Sequence, residues 1–282
     1  MRPLFHLCLL TPTLVLAAED GVKKTATDLF EVGGIPISNS ILTTWIIATL
    51  IIVAVRLLVG TPKIIPNKGQ ALVENVASGL RDALEPIVGK KMIGKTFPVL
   101  CGFFVFILLM NWSGLLPGVG TIKYMTAEHG WQDAIRPANS DLNTTLALSV
   151  ISFLAWTYFV LRYAGVKVLI LDLFGNKADK KELSTPMWLM LGFIFLGVGG
   201  IEVLSIASRL ISLPFRLYGN VFGGENLIHT LGGIAPYIVP AVAGLLEVLV
   251  GLIQAFVFTL LSAVYIGLIC NHDAGHDEEH AH

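Results

Sequence analysis

Five stretches of this sequence are apolar over enough residues to cross a lipid bilayer as a helix, which takes about 20 residues. The stretches cover residues 41–58, 97–116, 142–163, 187–233 and 241–269. Hydrophobic residues make up 54% of the 282 and charged residues only 14%, whereas soluble domains carry about 25% charged residues. We therefore predict an all-α polytopic membrane protein with about five membrane helices. The net charge of −1, with no basic domain, argues against a nucleic-acid partner.

The fourth stretch is too long for one upright span. A membrane helix usually has about 17–25 apolar residues, and residues 187–233 far exceed that length. A bent or strongly tilted helix would accommodate it, as would a short re-entrant segment followed by a long tilted helix. Gly197, Gly199, Gly200 and Pro214 are the expected places for a bend. We expect this segment and the final helix to be long, tilted and antiparallel.

The composition of the segments outside the apolar stretches predicts how the chain is organised. The beginning is typical of a secretory signal peptide cut after Ala17 or Ala18, with a short membrane-bound helix as the alternative. The expected organisation is a signal peptide at 1–18, an external tail at 19–40, a single membrane domain at 41–270 and an acidic, His-rich cytoplasmic tail at 271–282. Metal binding by the histidines of that last tail is an open alternative to a solvated tail. The three cysteines are too far apart to indicate a disulfide or metal site, and we expect no cofactor.

Basic residues concentrate after the first and third apolar stretches. The loop at 117–141 carries only Lys123 and Arg136, whereas the two flanking loops hold most of the lysines. Those lysines and arginines are Lys63, Lys68, Arg81, Lys90, Lys91, Lys95, Lys167, Lys177, Lys180 and Lys181. By the positive-inside rule these loops lie in the cytoplasm, so the mature N-terminus is expected outside.

An amphipathic helix is predicted between the first two membrane stretches. Over residues 70–88, apolar side chains recur at helical spacing. They are Leu72, Val76, Leu80, Leu84 and Val88. A helix lying on the membrane surface fits this pattern, and a solvated loop helix is the alternative.

A narrow polar stripe runs along the fourth stretch. Six polar positions fall within roughly 40° of Arg216 on a helical projection, over a length of about 27 Å. They are Glu202, Ser205, Arg209, Ser212, Arg216 and Asn220. Glu225 lies on the opposite face, and His229 is one turn further on. Because ionisable groups at membrane depth are costly, they indicate an ion pathway.

Glu247 and Gln254 are seven residues apart on the last helix and share a face, with Tyr265. If the last two helices pair antiparallel, this face meets Glu225 and His229. Carboxylates, an imidazole and an amide can together pass protons through bound water. The alternative is that they only form hydrogen bonds that hold the helices together.

Arg216 cannot carry a proton, because its guanidinium stays charged at any physiological pH. At a helix centre an arginine costs about 2.5–3.5 kcal/mol. The neighbours one turn away are Ser212 and Asn220, so no carboxylate of its own helix offsets this charge. We therefore expect its anionic partner to come from another protein chain, with snorkelling toward an interface as the alternative.

The run RLYGNVFGGE, followed by Glu247 and LIQAFVFTLLSAVYIGL, closely resembles subunit a of the F-type ATP synthase membrane sector. Glu202, fourteen residues before the arginine, and the DLNTT start of the third stretch extend the resemblance, which covers residues 66–269. It places the family's essential arginine at Arg216. The family's asparagine, first channel acid and glutamine fall on Asn220, Glu225 and Gln254. Relatives have His or Glu at the position of Glu247, so the order of proton transfer among Glu225, His229 and Glu247 stays open.

The resemblance implies a non-catalytic stator subunit in the bacterial inner membrane, with two offset proton half-channels beside a rotating c-ring. The external half-channel would contain Asn220, Glu225, His229, Glu247 and Gln254. The cytoplasmic half-channel would contain Glu202, Ser205, Arg209 and Ser212. The implied partners are the c-ring, subunit b of the peripheral stalk, the F1 sector through the complex, and membrane lipid. Whether the ion is H⁺ or Na⁺, and the number of ring subunits, depend on the ring and stay open.

Two other classes of function remain as alternatives. A stand-alone transporter or channel often has inverted repeats with a broken helix in each half, but residues 41–165 hold no second polar stripe. A membrane enzyme would need a nucleophile–base pair or a metal motif such as HExxH, and the sequence has neither.

Overall fold

The fold was obtained as a computed structural model. It describes residues 26, 28–32, 34–116, 119, 123–126, 130–133, 135–166, 169, 170, 185–232 and 238–270. The predicted signal peptide at 1–18 and the acidic tail at 271–282 lie outside the described residues. So do Lys167, Lys177, Lys180 and Lys181.

Helices dominate the described residues. Two strands, β1 (Asp28–Val32) and β2 (Ile35–Ser38), form an antiparallel hairpin within the segment predicted as an external tail. The helices are α1 (Asn39–Val59), α2 (Lys68–Val88), α3 (Lys90–Ser113), α4 (Leu142–Phe159), α5 (Thr185–Gly232) and α6 (Ile238–Cys270). A second hairpin, β3 (Lys123–Thr126) with β4 (Gly130–Asp133), and a 3₁₀ turn, Ala138–Ser140, lie between α3 and α4. The sequence had predicted only a loop there.

Five of these helical segments are long and apolar enough to span a membrane, which confirms the predicted all-α polytopic fold. They are Asn39–Val59, Lys90–Ser113, Leu142–Ala164, Met190–Ile228 and Pro240–Ile269. Large apolar side chains stay exposed along them; Leu57 on α1 is 79% exposed and Leu245 on α6 is 71% exposed. In a membrane such side chains face lipid rather than water.

Helix α5 is one continuous helix of 48 residues that includes Pro214. At 1.5 Å per residue it is about 72 Å long, more than twice the ~30 Å apolar core of a bilayer. The structure therefore has the single long helix, and the re-entrant alternative is wrong. Because no break interrupts α5, the positions of the predicted polar stripe remain in helical register from Glu202 to Asn220.

Helix α2 confirms the predicted amphipathic helix. The exposure of its apolar side chains differs between its first and second halves. The side chains of Leu80, Leu84 and Val88 are buried, whereas Leu72 and Val76 are 58% and 46% exposed. The second half of α2 packs against α3 and α6. Gly89, with a φ of +86°, then turns the chain directly into α3. As a result α3 starts at Lys90 rather than near Phe97.

The core forms where α6 packs against α3 and α5. Fully buried side chains from these helices meet there, including Leu100, Ile107, Leu217 and Phe258. The rings of Phe103 and Phe258 contact edge to face, with centroids 5.8 Å apart. This packing holds α5 and α6 side by side and so positions the polar residues of the last two helices.

Candidate functional site

Arg216 lies on the outer face of α5. Its neighbours Leu213 and Leu217 are buried against the rest of the chain, whereas Arg216 itself is exposed. In the part of the chain that the structure describes, its guanidinium forms no ion pair. The residue falls within the membrane-length segment Met190–Ile228. A permanent positive charge is thus presented, within a segment apolar enough to span a membrane, to whatever packs against this face.

The outer face of α5 carries small side chains on both sides of Arg216. Ser212, Gly219 and Gly223 are all exposed. A Cβ atom built on either glycine would have no neighbour within 4 Å. Small residues let another helix approach closely, so this face has room for a partner helix beside the guanidinium.

The other stripe residues differ in burial. Glu202 is exposed like Ser212, whereas Ser205, Arg209 and Asn220 are half-buried. The stripe therefore lies along the boundary between the outer face of α5 and its contacts with the rest of the chain.

Glu247 of α6 packs directly against α5 at Gly224. A Cβ atom on Gly224 would lie 2.7 Å from Oε1 and 2.9 Å from Cδ of Glu247. Only a glycine leaves room for the carboxyl group at this distance. The carboxyl groups of Glu247 and of the adjacent Glu225 are close enough to interact electrostatically. The structure thus brings together the two acids that the sequence had placed on separate helices.

Arg136, from the segment before α4, joins this pair of acids. Its Nη2 lies 4.0 Å from Oε2 of Glu225. Its Nε donates a 2.7 Å hydrogen bond to Oγ of Ser140, and its Nη2 donates to the Ser140 carbonyl oxygen at 3.3 Å. The Arg136 side chain is only 5% exposed. From the sequence this arginine was identified only as a basic residue of a loop, because no pattern in the neighbouring residues indicates that its side chain turns inward.

A chain of amides fixes α6 against α3 near the same place. Nδ2 of Asn139 donates to Oδ1 of Asn111 at 2.8 Å, and Nδ2 of Asn111 donates to the Gly251 carbonyl oxygen at 3.0 Å. Nε1 of Trp112 donates to the Val248 carbonyl oxygen at 3.0 Å. These bonds anchor the α6 turns between Glu247 and Gln254.

Two further predicted residues lie near these acids along the chain. Gln254 is 7% exposed, two turns beyond Glu247 on α6. Its buried Nε2 has no hydrogen-bond partner among the described residues. A buried amide donor of this kind ordinarily binds water. His229 belongs to α5, one turn beyond Glu225, but its side chain lies outside what the structure describes.

Arg209 turns away from the outer face toward α6. Its guanidinium carbon lies 4.0 Å from the centre of the Tyr265 ring, a cation–π contact. Both side chains line a cavity of about 40 Å³ between α4, α5 and α6. Three hydroxyl groups also line it, those of Ser149, Ser152 and Ser262. This volume accommodates a few water molecules, since one needs at least about 10–15 Å³ by this measure.

Arg216 therefore lies between two polar regions. The acids and Arg136 begin about 13 Å further along α5, at Glu225, and the serine-lined cavity begins about 10 Å in the opposite direction, at Arg209. The first region holds groups that can bind and release protons. The second can hold water next to a fixed positive charge. Between them lies a cation that cannot transfer a proton.

The chain is similar to known proteins of a single family. The sequence profile of the family described as "ATP synthase A chain" matches residues 41–267. A relative from Bradyrhizobium sp. (strain BTAi1), described as "ATP synthase subunit a 2", is 29% identical over 243 residues. That alignment covers 86% of this chain and 93% of the relative.

Proposed function

The chain belongs to the ATP synthase A chain family, and from this premise we propose that it is the proton-conducting stator subunit of the membrane sector. As a member of that family it is a membrane-embedded component of an ATPase complex. In our proposal it catalyses no reaction itself. It provides two offset half-channels to a rotating c-ring and couples proton movement to ATP synthesis.

The observation that carries this proposal is the position of Arg216. The guanidinium is exposed on a membrane-length helix, between small side chains, and forms no ion pair with the described residues. A cation in that setting needs an anion from outside the chain. A carboxylate on each ring subunit would supply it. Because each neutral carboxyl group can face lipid but an ionised one cannot, the ring would turn only as protons are gained and lost.

The external half-channel is proposed to run through the acids near Gly224. Glu225 and Glu247 would accept protons from outside and pass them toward the ring, with Gln254, Asn220 and His229 completing the path. Arg136 would neutralise part of the charge of the two acids, which otherwise repel each other. The buried donor of Gln254 would hold water within this path.

The cytoplasmic half-channel is proposed to lie toward the opposite end of α5. A ring carboxyl group that returns to Arg216 would lose its proton, because a nearby cation favours the ionised form. The proton would leave past Ser212, Arg209, Ser205 and Glu202. The cavity beside Arg209 would add hydration to that exit.

Arg216 would also prevent leakage. Each proton that crosses the full membrane potential is worth about 2.3 kcal/mol per 100 mV, and a continuous file of water would dissipate it. A fixed positive charge between the two half-channels repels a proton that would pass directly from one to the other.

The orientation follows the charge distribution of the loops. The mature N-terminus would lie outside and the C-terminus in the cytoplasm, in the inner membrane of a bacterial cell. Subunit b of the peripheral stalk would hold the chain in place relative to the F1 sector.

The decisive experiment is ATP-driven ion pumping by the purified complex in proteoliposomes. With Arg216→Ala we expect the complex to assemble and pumping to be lost, whereas the exposed arginine of α2 gives a matched control in Arg81→Ala, which should pump normally. Normal pumping or ATP synthesis by the Arg216→Ala complex would refute the proposal. Repeating the assay with and without sodium separates H⁺ from Na⁺ coupling.

A further inference from the structure

A group of cations lies where two membrane segments end at the same membrane surface. Lys95 belongs to the first turns of the Lys90–Ser113 segment, and Arg162 and Tyr163 lie at the end of the Leu142–Ala164 segment. Nζ of Lys95 lies 4.1 Å from the centre of the Tyr163 ring, and the Arg162 guanidinium carbon lies 5.8 Å from the same centre. Lys91 lies one turn before Lys95 on α3. We refer to Lys91, Lys95, Arg162 and Tyr163 as the basic cluster.

The local backbone presents these side chains outward. Residues Val160–Ala164 form one π-helical turn at the end of α4, a rare conformation that often accompanies functional sites. The three cations are all exposed, and Tyr163 is 37% exposed. The cluster is therefore accessible from outside the chain.

The charge of the basic cluster is not balanced within the described residues. None of its three cations forms an ion pair with the described residues. The nearest acid along the chain is Glu85, and its Oε2 already pairs with Nε of Arg81 at 3.7 Å. Tyr163 offers its ring face to two cations at once, which offsets only part of their repulsion. An anion seated between Lys95 and Arg162 would stabilise the arrangement.

An exposed apolar row leads from the basic cluster into the depth of the membrane. On α4 the side chains of Leu154, Tyr158 and Leu161 are 59%, 59% and 43% exposed. Their spacing places them on one face of the helix, and Arg162 follows at its end. A ligand that fits both features has an anionic head and a long apolar chain.

We propose that the basic cluster binds one anionic phospholipid, with the phosphate group between Lys95 and Arg162 and an acyl chain along Leu154, Tyr158 and Leu161. Basic pockets between membrane helices are known to hold lipid head groups. An acidic protein segment would satisfy the charges but would leave the apolar row of α4 unexplained. The proposal does not depend on the ion pathway, because none of these residues belongs to it.

The test uses the intact complex in nanodiscs made of equal parts phosphatidylcholine and phosphatidylglycerol. A phosphatidylglycerol with a photoactivatable acyl chain is crosslinked, and the labelled peptides are identified by mass spectrometry. In the native chain we expect crosslinks on Leu154–Leu161. Unlabelled phosphatidylglycerol should compete for this site, whereas phosphatidylcholine and soluble glycerol phosphate should not.

The variant K95Q/R162Q should lower this crosslinking roughly 30-fold, since each cation near a membrane surface contributes about 1 kcal/mol toward an anionic lipid. The charge-preserving K95R/R162K should retain it, which separates loss of charge from misfolding. K63Q/K68Q removes two cations, one just before α2 and one at its first residue, and should leave the crosslinking unchanged. Equal crosslinking in K95Q/R162Q and the native chain, or an equal loss in K63Q/K68Q, would overturn the proposal.

Discussion

Nη2 of Arg136 lies 4.0 Å from Oε2 of Glu225, and this contact joins the segment before α4 to α5. The arginine is almost fully buried, and Ser140 accepts hydrogen bonds from its Nε and its Nη2. A rigidly held cation thus lies beside one of two adjacent acids on a proposed proton path.

Replacing Arg136 with Gln should destabilise the chain by about 1–3 kcal/mol, because the Glu225 carboxylate then loses a buried charged partner. Unfolding of the full chain in mixed micelles by a denaturing detergent, followed by circular dichroism, measures this. The exposed pair Arg81–Glu85 gives the control, and Arg81→Gln should cost less than about 0.5 kcal/mol. If neutralising Glu225 is the main role of Arg136, R136Q/E225Q will be more stable than R136Q alone. A double variant as unstable as the sum of both single changes would contradict that role.

Glu225 and Glu247 offer two adjacent carriers for an incoming proton. If they act as alternative relays, E225Q/E247Q should slow proton flux far more than either single change, by roughly 100-fold or more. Dye-monitored proton uptake into proteoliposomes measures the flux. If the slowing caused by the two single changes is strictly additive in the double variant, so that the extra transfer times sum, the protons follow one path that passes through both acids in series.

A side chain at Gly224 would collide with Glu247, because a Cβ atom there would lie 2.7 Å from Oε1 of the Glu247 carboxyl group. We expect Gly224→Ala to displace the Glu247 carboxyl group and lower proton flux by about 10-fold, less than the roughly 100-fold or more expected when a proton-transfer group is lost altogether. Shortening the acid in G224A/E247D should restore part of the flux. Gly200→Ala on the same helix is the matched control, since a Cβ atom there meets open space and Gly200 lies away from the face that carries Arg216. Equal flux in the Gly200→Ala and Gly224→Ala complexes would show that this contact has no role.

Gly219 tests whether the outer face of α5 is a helix-docking surface. A Cβ atom there meets open space among the described residues, so Gly219→Leu should leave the fold of the chain intact. It should nevertheless block close approach of a ring helix and reduce ATP synthesis at least about 10-fold, equivalent to 1.4 kcal/mol. The exposed, equally unobstructed Gly79 of α2 provides the control as Gly79→Leu. Undiminished synthesis in the Gly219→Leu complex would exclude a ring contact at this position.

Local patterns in the sequence predicted much of the architecture. Apolar length predicted the five spans, and helical periodicity predicted α2, because both depend on residues that are neighbours in the sequence. The continuous α5 was one of two alternatives that the sequence allowed. The hairpin between α3 and α4 was missed, since its strands are short and lie in a segment that otherwise reads as a loop.

For a similar reason, some features of the site could be predicted from the sequence and others could not. The sequence by itself determined which residues share a helix face, so Arg216, Glu247 and Gln254 could be singled out from spacing and from the cost of polar groups in a membrane. Only the tertiary structure decided what crosses between helices: Glu247 packing on Gly224, Arg136 turning inward to Glu225, and Arg209 turning toward Tyr265. Periodicity records the direction of a side chain from its own helix axis. The partner that it meets depends on how distant segments pack, and that information is not carried by any local stretch of the chain.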